Sequence, residues 1–320
     1  MNKSLMKKSI IAAIALGVFI IFFAVGYRFG LNYAKSVFPE PEEKWEKEET
    51  TALETGTAPD VVKQPDGTWR MYYVVKEGIV SASSQDGKKW TLDEGVRVAP
   101  GFHSKDEAKI GGPAVITLKK GGYRMIYEAS DEKQTTFLLR SAKSADGVSW
   151  DKEPGVRVKH VNRFDEEIAA APDVVKTGDE EWRVYYSDGD TIQMALSKDE
   201  GLTWKKRSIK GLPEASLDPT VVLMSDGMYR MYFAVSQSDE RLLKAKIKSA
   251  RSENGYDWTV ESGYRVVADP KAVMVLDPDV VNISLGKMKM FYSQLDRGVI
   301  NGTGVNEPQI SIRAAGLELK

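Results

Sequence analysis

Apolar and polar positions alternate along most of this chain in runs of strand length, and the runs come in groups of four. The fullest group lies within residues 112–158. It opens Gly112-Pro113-Ala114-Val115-Ile116, turns at Lys120-Gly121-Gly122 and resumes Tyr123-Arg124-Met125-Ile126-Tyr127-Glu128. A third run, Phe137-Leu138-Leu139-Arg140-Ser141-Ala142, leads through Ser144-Ala145-Asp146-Gly147-Val148-Ser149-Trp150 to a fourth ending Gly155-Val156-Arg157-Val158. β-Branched and aromatic runs bounded by Asp-Gly or Gly-Gly turns are what antiparallel hairpins require. Four strands with one Trp per unit, repeated along the chain, predict a β-propeller blade.

First-strand prolines recur at Pro59, Pro113, Pro172, Pro219 and Pro278, which predicts an all-β, five-bladed propeller over residues 58–320. The second strands keep the register, from Trp69-Arg70-Met71-Tyr72-Tyr73 to Met288-Lys289-Met290-Phe291-Tyr292. Only four third-to-fourth-strand turns follow, ending at Trp90, Trp150, Trp204 and Trp258. The fifth unit stops near where its fourth strand should begin, and a bare blade edge would leave backbone groups unpaired. Lys44-Trp45-Glu46-Lys47-Glu48 matches Lys89-Trp90-Thr91-Leu92-Asp93, so residues 45–52 are expected to supply the missing strand. Residues 294–308 read as a long loop.

Ahead of the repeats, Lys3, Lys7 and Lys8 precede an unbroken apolar run over residues 10–26. That length is at the lower edge of what crosses a bilayer as a helix. Basic residues before it and Glu40, Glu42 and Glu43 after it predict a signal-anchor within residues 1–35, with the bulk of the chain exported, at a cell surface or in a periplasm. A cleaved signal peptide, which would make the protein secreted, is the alternative. Residues 36–57, with Pro39, Pro41 and many glutamates, read as an acidic linker. The 320 residues carry a net charge of -1, which gives no electrostatic reason to expect a nucleic-acid partner, and the absence of cysteine excludes disulfides and thiol chemistry.

The Ser-x-Asp-x-Gly-x-Thr-Trp segment from Ser197 to Trp204 resembles the Asp box of sialidases, and the shorter Asp-Gly-x-x-Trp forms resemble those of five-bladed glycosidase-type propellers. That superfamily includes arabinanases, β-xylosidases, invertases and levansucrases, and the resemblance covers residues 58–314. It implies a glycan or oligosaccharide partner. The turn residues themselves read as scaffold, since Asp caps the turn and Gly takes positive φ. Arg70, Arg124, Arg183 and Arg230 repeat in the same way and read as scaffold too.

Propellers bind ligands around the central channel, where the first strands begin. The residues before the prolines are Ala58, Gly112, Ala171, Asp218 and Asp277; those after are Asp60, Ala114, Asp173, Thr220 and Asp279. Alternation with period two puts both sets on one face, an acidic channel mouth. Asp218-Pro219 and Asp277-Pro278 resemble the Asp-Pro of arabinanase-type catalytic strands, where such aspartates act as base, nucleophile or pKa modulator. The Glu-x-Pro acid of those enzymes is missing, its positions being Thr57, Gly111 and Ala170, but Glu128 breaks the repeat at a strand end where Val74, Ser187, Ala234 and Ser293 stand. Asp218, Asp277 and Glu128 are therefore the expected catalytic set for glycoside hydrolysis, which needs one protonated and one ionised carboxyl group. Asp60, Asp173, Asp279 and Thr220, with the loop residues His103 and His160, are the expected substrate contacts. The all-oxygen channel would suit calcium, although no linear calcium-loop motif is present. The alternative function is a non-catalytic propeller that binds a polysaccharide or an envelope protein.

Overall fold

The computed structural model describes residues 44–101, 105–178, 180–235, 245–270, 272–284, 286–300 and 306–318. The apolar run at residues 10–26 and His103 lie outside them. Among the described residues no helix is long and apolar enough to cross a membrane.

Twenty strands form five four-stranded antiparallel sheets. Blade 1 is β2 (Thr57–Lys63), β3 (Trp69–Val75), β4 (Gly78–Ser84) and β5 (Thr91–Leu92). Blade 2 is β6 (Lys109–Thr117), β7 (Tyr123–Ser130), β8 (Phe137–Ser144) and β9 (Asp151–Val158). Blade 3 is β10 (Ala170–Lys176), β11 (Trp182–Ser187), β12 (Ile192–Ser197) and β13 (Lys205–Arg207). Blade 4 is β14 (Ser216–Leu223), β15 (Tyr229–Val235), β16 (Lys246–Ser252) and β17 (Thr259–Val260). Blade 5 joins β18 (Ala272–Ser284), β19 (Lys287–Ile300) and β20 (Asn306–Glu318) to β1 (Glu46–Lys47) as its outermost strand. The first strands of successive blades pack side by side in a closed ring.

Residues 294–300 and 306–308 are strand, where a long loop was expected over 294–308. Gln294 pairs with Ser311 and Asp296 with Gln309, so β19 and β20 continue as a hairpin beyond the body of the blade. The apolar Val-Ile pair at its far end suits a strand as well as a loop.

The repeat in the sequence is a repeat of contacts between blades. The third residue of every second strand, Met71, Met125, Val184, Met231 or Met290, is fully buried. The fourth supports the tryptophan of the next blade: Trp150 meets Tyr72 edge-on at 5.6 Å, Trp258 meets Tyr185 at 5.9 Å, and Trp90 meets Phe291 at 5.5 Å. Trp45 completes the set against Tyr232 of blade 4 at 5.4 Å. The basic second residues reach the next blade's turn as well, Arg70 donating to Asp146 O (3.3 Å), Arg183 to Asn254 O (2.6 Å) and Lys289 to Gly87 O (2.7 Å). Second-strand cations also hold carboxylates, Arg70 with Asp93 just past the fourth strand of its own blade and Arg124 with Glu153 on the fourth strand of its own. In blade 5 Glu48 fills that position, 2.8 Å from the Lys289 ammonium.

Candidate functional site

Every first strand carries a β-bulge at its proline. Pairing jumps from Thr57 to Asp60, Gly111 to Ala114, Ala170 to Asp173, Leu217 to Thr220 and Leu276 to Asp279 while the partner strand advances two residues. The extra residue is the one before proline, and all five have left-handed φ: Ala58 at 49°, Gly112 at 42°, Ala171 at 45°, Asp218 at 52° and Asp277 at 49°. Asp tolerates that region better than Ala does, because its short polar side chain can bond locally. The bulge breaks the alternation on which a single acidic face rested. Instead the carboxylates form two tiers, each bonded to the next blade.

In the upper tier, at the pre-proline residues, Asp277 Oδ2 accepts from Ala58 N at 3.2 Å and from the Thr57 hydroxyl at 2.8 Å. Ser293 Oγ lies 3.0 Å from the same Ala58 N and 2.9 Å from Thr57 Oγ1. Glu128 Oε2 accepts from Ala171 N at 3.1 Å, Ser187 Oγ accepts from Asp218 N at 2.9 Å, and the Asp277 N–H bonds the Asp218 carboxylate. Glu128, Ser187 and Ser293 occupy one repeated position on the second strand, each paired with the first-strand residue two before the proline. Glu128 lies opposite Gly111, and a Cβ there would approach its Oε1 to 3.2 Å.

The lower tier is made by the residues after proline. Asp60 accepts from Val115 N at 3.1 Å, Asp173 from Val221 N at 2.8 Å and Asp279 from Val61 N at 2.9 Å. The three carboxyl groups also repel one another, Asp60 with both others and Asp279 with Asp173. Thr220, at the matching place in blade 4, is only 3% exposed.

Burial is the main cause of the shifted acidities in both tiers. It pushes Glu128 up to about 7, the Asp277 charge adding to the rise and the Ala171 N–H opposing it. Asp218 is raised well above the ordinary carboxylate range by burial, then by Asp277, with Glu128 contributing further. Asp173 is raised to about 7, and Asp60 and Asp279 are raised strongly, again by burial first. Glu128, Asp218 and Asp277 thus lie close enough to act on one another's charge. All three are half-buried.

His160 stands apart from both tiers. It lies in the loop between β9 and β10, with Nδ1 3.0 Å from Tyr186 Oη and Nε2 3.6 Å from Asp188 Oδ2. Burial and Lys206 lower its basicity, and Asp188 partly offsets them. Asp188 also organises its own turn, accepting from Asp190 N and Thr191 N. Among the described residues no group of three or more histidine, cysteine, aspartate or glutamate side chains is placed to hold a metal ion. The lower-tier oxygens are committed instead to backbone N–H groups. The hydroxyls Thr57, Ser187 and Ser293 are parts of the site that the residue pattern alone did not single out. For Ser187 and Ser293 the signal was the second-strand position already marked by Glu128.

The family model described as "Glycosyl hydrolases family 32 N-terminal domain" matches residues 108–303. No curated protein sequence matches the chain at a significant level. Among solved structures, a GH43 endo-arabinanase from Bacillus licheniformis superposes with a TM-score of 0.59 at 16% identity, covering 84% of this chain and 95% of that one. An endo-1,4-beta-xylanase from Bacteroides thetaiotaomicron gives 0.59 at 15% identity, covering 84% and 99%. A structure described as a glycoside hydrolase gives 0.62 at 16% identity, covering 88% and 94%. At these identities the likeness is one of fold.

Proposed function

Because this chain belongs to the glycosyl hydrolases family 32 N-terminal domain family, which matches more than half of it, we propose that it engages glycans at an acidic channel mouth and hydrolyses a glycosidic bond there. The observation that carries this reading is the convergence of Glu128, Asp218 and Asp277 in different settings, where the Asp277 carboxylate raises the proton affinity of both others while accepting from Thr57 and Ala58. Glycoside hydrolysis needs that difference, one group keeping a proton and another giving up its own. Glu128, with an acidity near neutral, suits the general acid that protonates the leaving oxygen. Asp277, which accepts from Thr57 and Ala58, suits the base or nucleophile on the other side of the bond. Asp277 is also the charge that raises the affinity of Glu128 for its proton, and Asp218, whose carboxylate accepts the Asp277 N–H, acts by positioning Asp277.

Fold alone does not supply the chemistry. A non-catalytic glycan-binding propeller is the second reading, and one observation favours it: the Glu128 carboxylate already caps a backbone N–H, a structural task that explains its presence without catalysis. In both readings the apolar run at residues 10–26 is proposed to export the propeller, either as an uncleaved anchor or as a cleaved signal peptide.

The test is incubation with a broad glycan mixture analysed by mass spectrometry, beside Asp218→Asn and Glu128→Gln. Cleavage by the wild type that both variants lose supports the hydrolase. Sugar-dependent thermal stabilisation without cleavage supports the binding module. Cleavage that survives both substitutions removes this site from the chemistry.

A further inference from the structure

We propose that Phe164 is a sugar-stacking platform, a subsite for a ring of a longer glycan chain held away from the bond that is cut. The inference rests on the glycan reading above and adds a substrate class to it, extended oligosaccharides rather than small glycosides.

Phe164 is 60% exposed, at the tip of the hairpin between β9 and β10 where Val161 bridges Glu167. An exposed aromatic on a mobile loop needs no explanation, but this one is braced from several sides. Asn162 Oδ1 accepts the N–H groups of Phe164 (2.9 Å) and Glu166 (3.1 Å), and Asn162 Nδ2 donates to Asp188 O at 2.8 Å. Arg163 binds Asp190 at 2.8 Å and Glu214 at 3.0 Å, and its Cζ lies 4.9 Å from the Phe164 ring centroid. Three loops therefore fix the ring: its own, the β11–β12 turn and the loop leading to β14.

The brace also ties the ring to the site. Asp188, which anchors Asn162, directly follows Ser187, and Ser187 holds the Asp218 N–H at 2.9 Å. The hairpin, the β11–β12 turn and the pre-proline residues thus belong to the same end of the propeller. A rigid aromatic face loses little conformational freedom when a sugar's C–H face stacks on it. Flanking Arg163, Asp190 and Glu214 present hydrogen-bonding groups of the kind that read hydroxyls.

The experiment measures affinities of the full-length chain for arabino- and xylo-oligosaccharides, comparing disaccharides with longer oligomers, in the wild type, Phe164→Ala and Phe164→Trp. Loss of one stacked ring should weaken binding of the longer oligomers about three- to tenfold in Phe164→Ala, leave disaccharide affinity unchanged, and be rescued in Phe164→Trp. Equal affinities of wild type and Phe164→Ala at every length would overturn the subsite while leaving the glycan reading intact. An equal loss at every length would also overturn it, because the residue would then act on the central site. If no oligosaccharide binds the wild type, the glycan reading and the subsite fall together.

Discussion

The Glu128 carboxylate accepts the N–H of Ala171, 3.1 Å away across the boundary between blades 2 and 3. Gly112 leaves blade 2 without a pre-proline side chain, and Glu128 reaches over from the neighbouring strand to cap the next blade's first strand instead. The same atom that the chemistry would use is therefore a structural acceptor.

Two substitutions separate these roles. Glu128→Gln keeps an oxygen for the Ala171 N–H and removes the proton-carrying group together with its cost of ionisation, so cleavage should vanish while the thermal midpoint at pH 7 holds or rises. Glu128→Ala leaves the N–H unpaired and should cost about 1–3 kcal/mol by chemical denaturation. A Gln variant as unstable as the Ala variant would show that charge, rather than the acceptor, is what the fold needs.

The raised acidities predict how stability depends on pH. Glu128 and Asp173 titrate near 7 in the folded chain, against 4.5 and 3.8 for the free side chains, so the folded state holds more protons than the unfolded state between about pH 4 and 7. Stability from these groups is fully present below the lower values and is lost as pH rises through 7. Asp86 and Asp146, held near 2 by backbone N–H groups, act oppositely and only below about pH 4. Denaturation midpoints should therefore rise on acidification from pH 8 to 5, and Asp173→Asn with Glu128→Gln should flatten that slope. A midpoint that climbs with pH across this window would contradict the assignment.

The architecture was legible because each blade reuses the same contacts: a tryptophan on the neighbour's second strand and a cation reaching the neighbour's turn leave period, spacing and residue type in the sequence. Asp218, Asp277 and Glu128 were legible as departures from that period. The two tiers were not, because the bulge at Ala58 and its four counterparts shifts side-chain directions by one residue without any change in hydrophobic pattern. Ser187 and Ser293 were equally hidden, since a small hydroxyl on a strand has no distinctive signature until its partner amide is in place. The pairing of residues 294–300 with 306–311 was not legible because the glycines and asparagines between residues 294 and 308 read as loop chemistry.

Closure of blade 5 depends on a short strand with two anchors. Trp45 is 7% exposed against Tyr232, and Glu48 pairs with Lys289, itself 5% exposed. Trp45→Ala should cost about 3–5 kcal/mol in chemical denaturation. It should also promote self-association, because release of β1 bares the edge of β20. Glu48→Gln, which keeps an oxygen near the ammonium, should cost less than Glu48→Ala. Wild-type stability in Trp45→Ala would mean the propeller closes without its outer strand.

The pre-proline ring reverses the usual rule for glycine in a strand. An ordinary strand position loses about 0.5–1 kcal/mol when Ala becomes Gly. At Ala58 and Ala171, φ near 49° and 45° holds an L-residue in a region that costs about 1–2 kcal/mol, and glycine removes that strain while adding unfolded-state entropy. Ala58→Gly and Ala171→Gly should therefore be neutral or stabilise by up to about 1 kcal/mol. The converse change, Gly112→Ala, gains the strain and brings a new Cβ to 3.1 Å from Pro172 Cδ and 3.2 Å from Ala171 Cα, so it should destabilise by about 1–2 kcal/mol. It should also move the residue that bonds Glu128, and any hydrolytic activity should fall with it. Urea titration of the three variants reads the signs directly: a loss of about 1 kcal/mol in both Ala→Gly variants would mean that the left-handed pre-proline conformation carries no strain, and with it the backbone basis of the two tiers would fail.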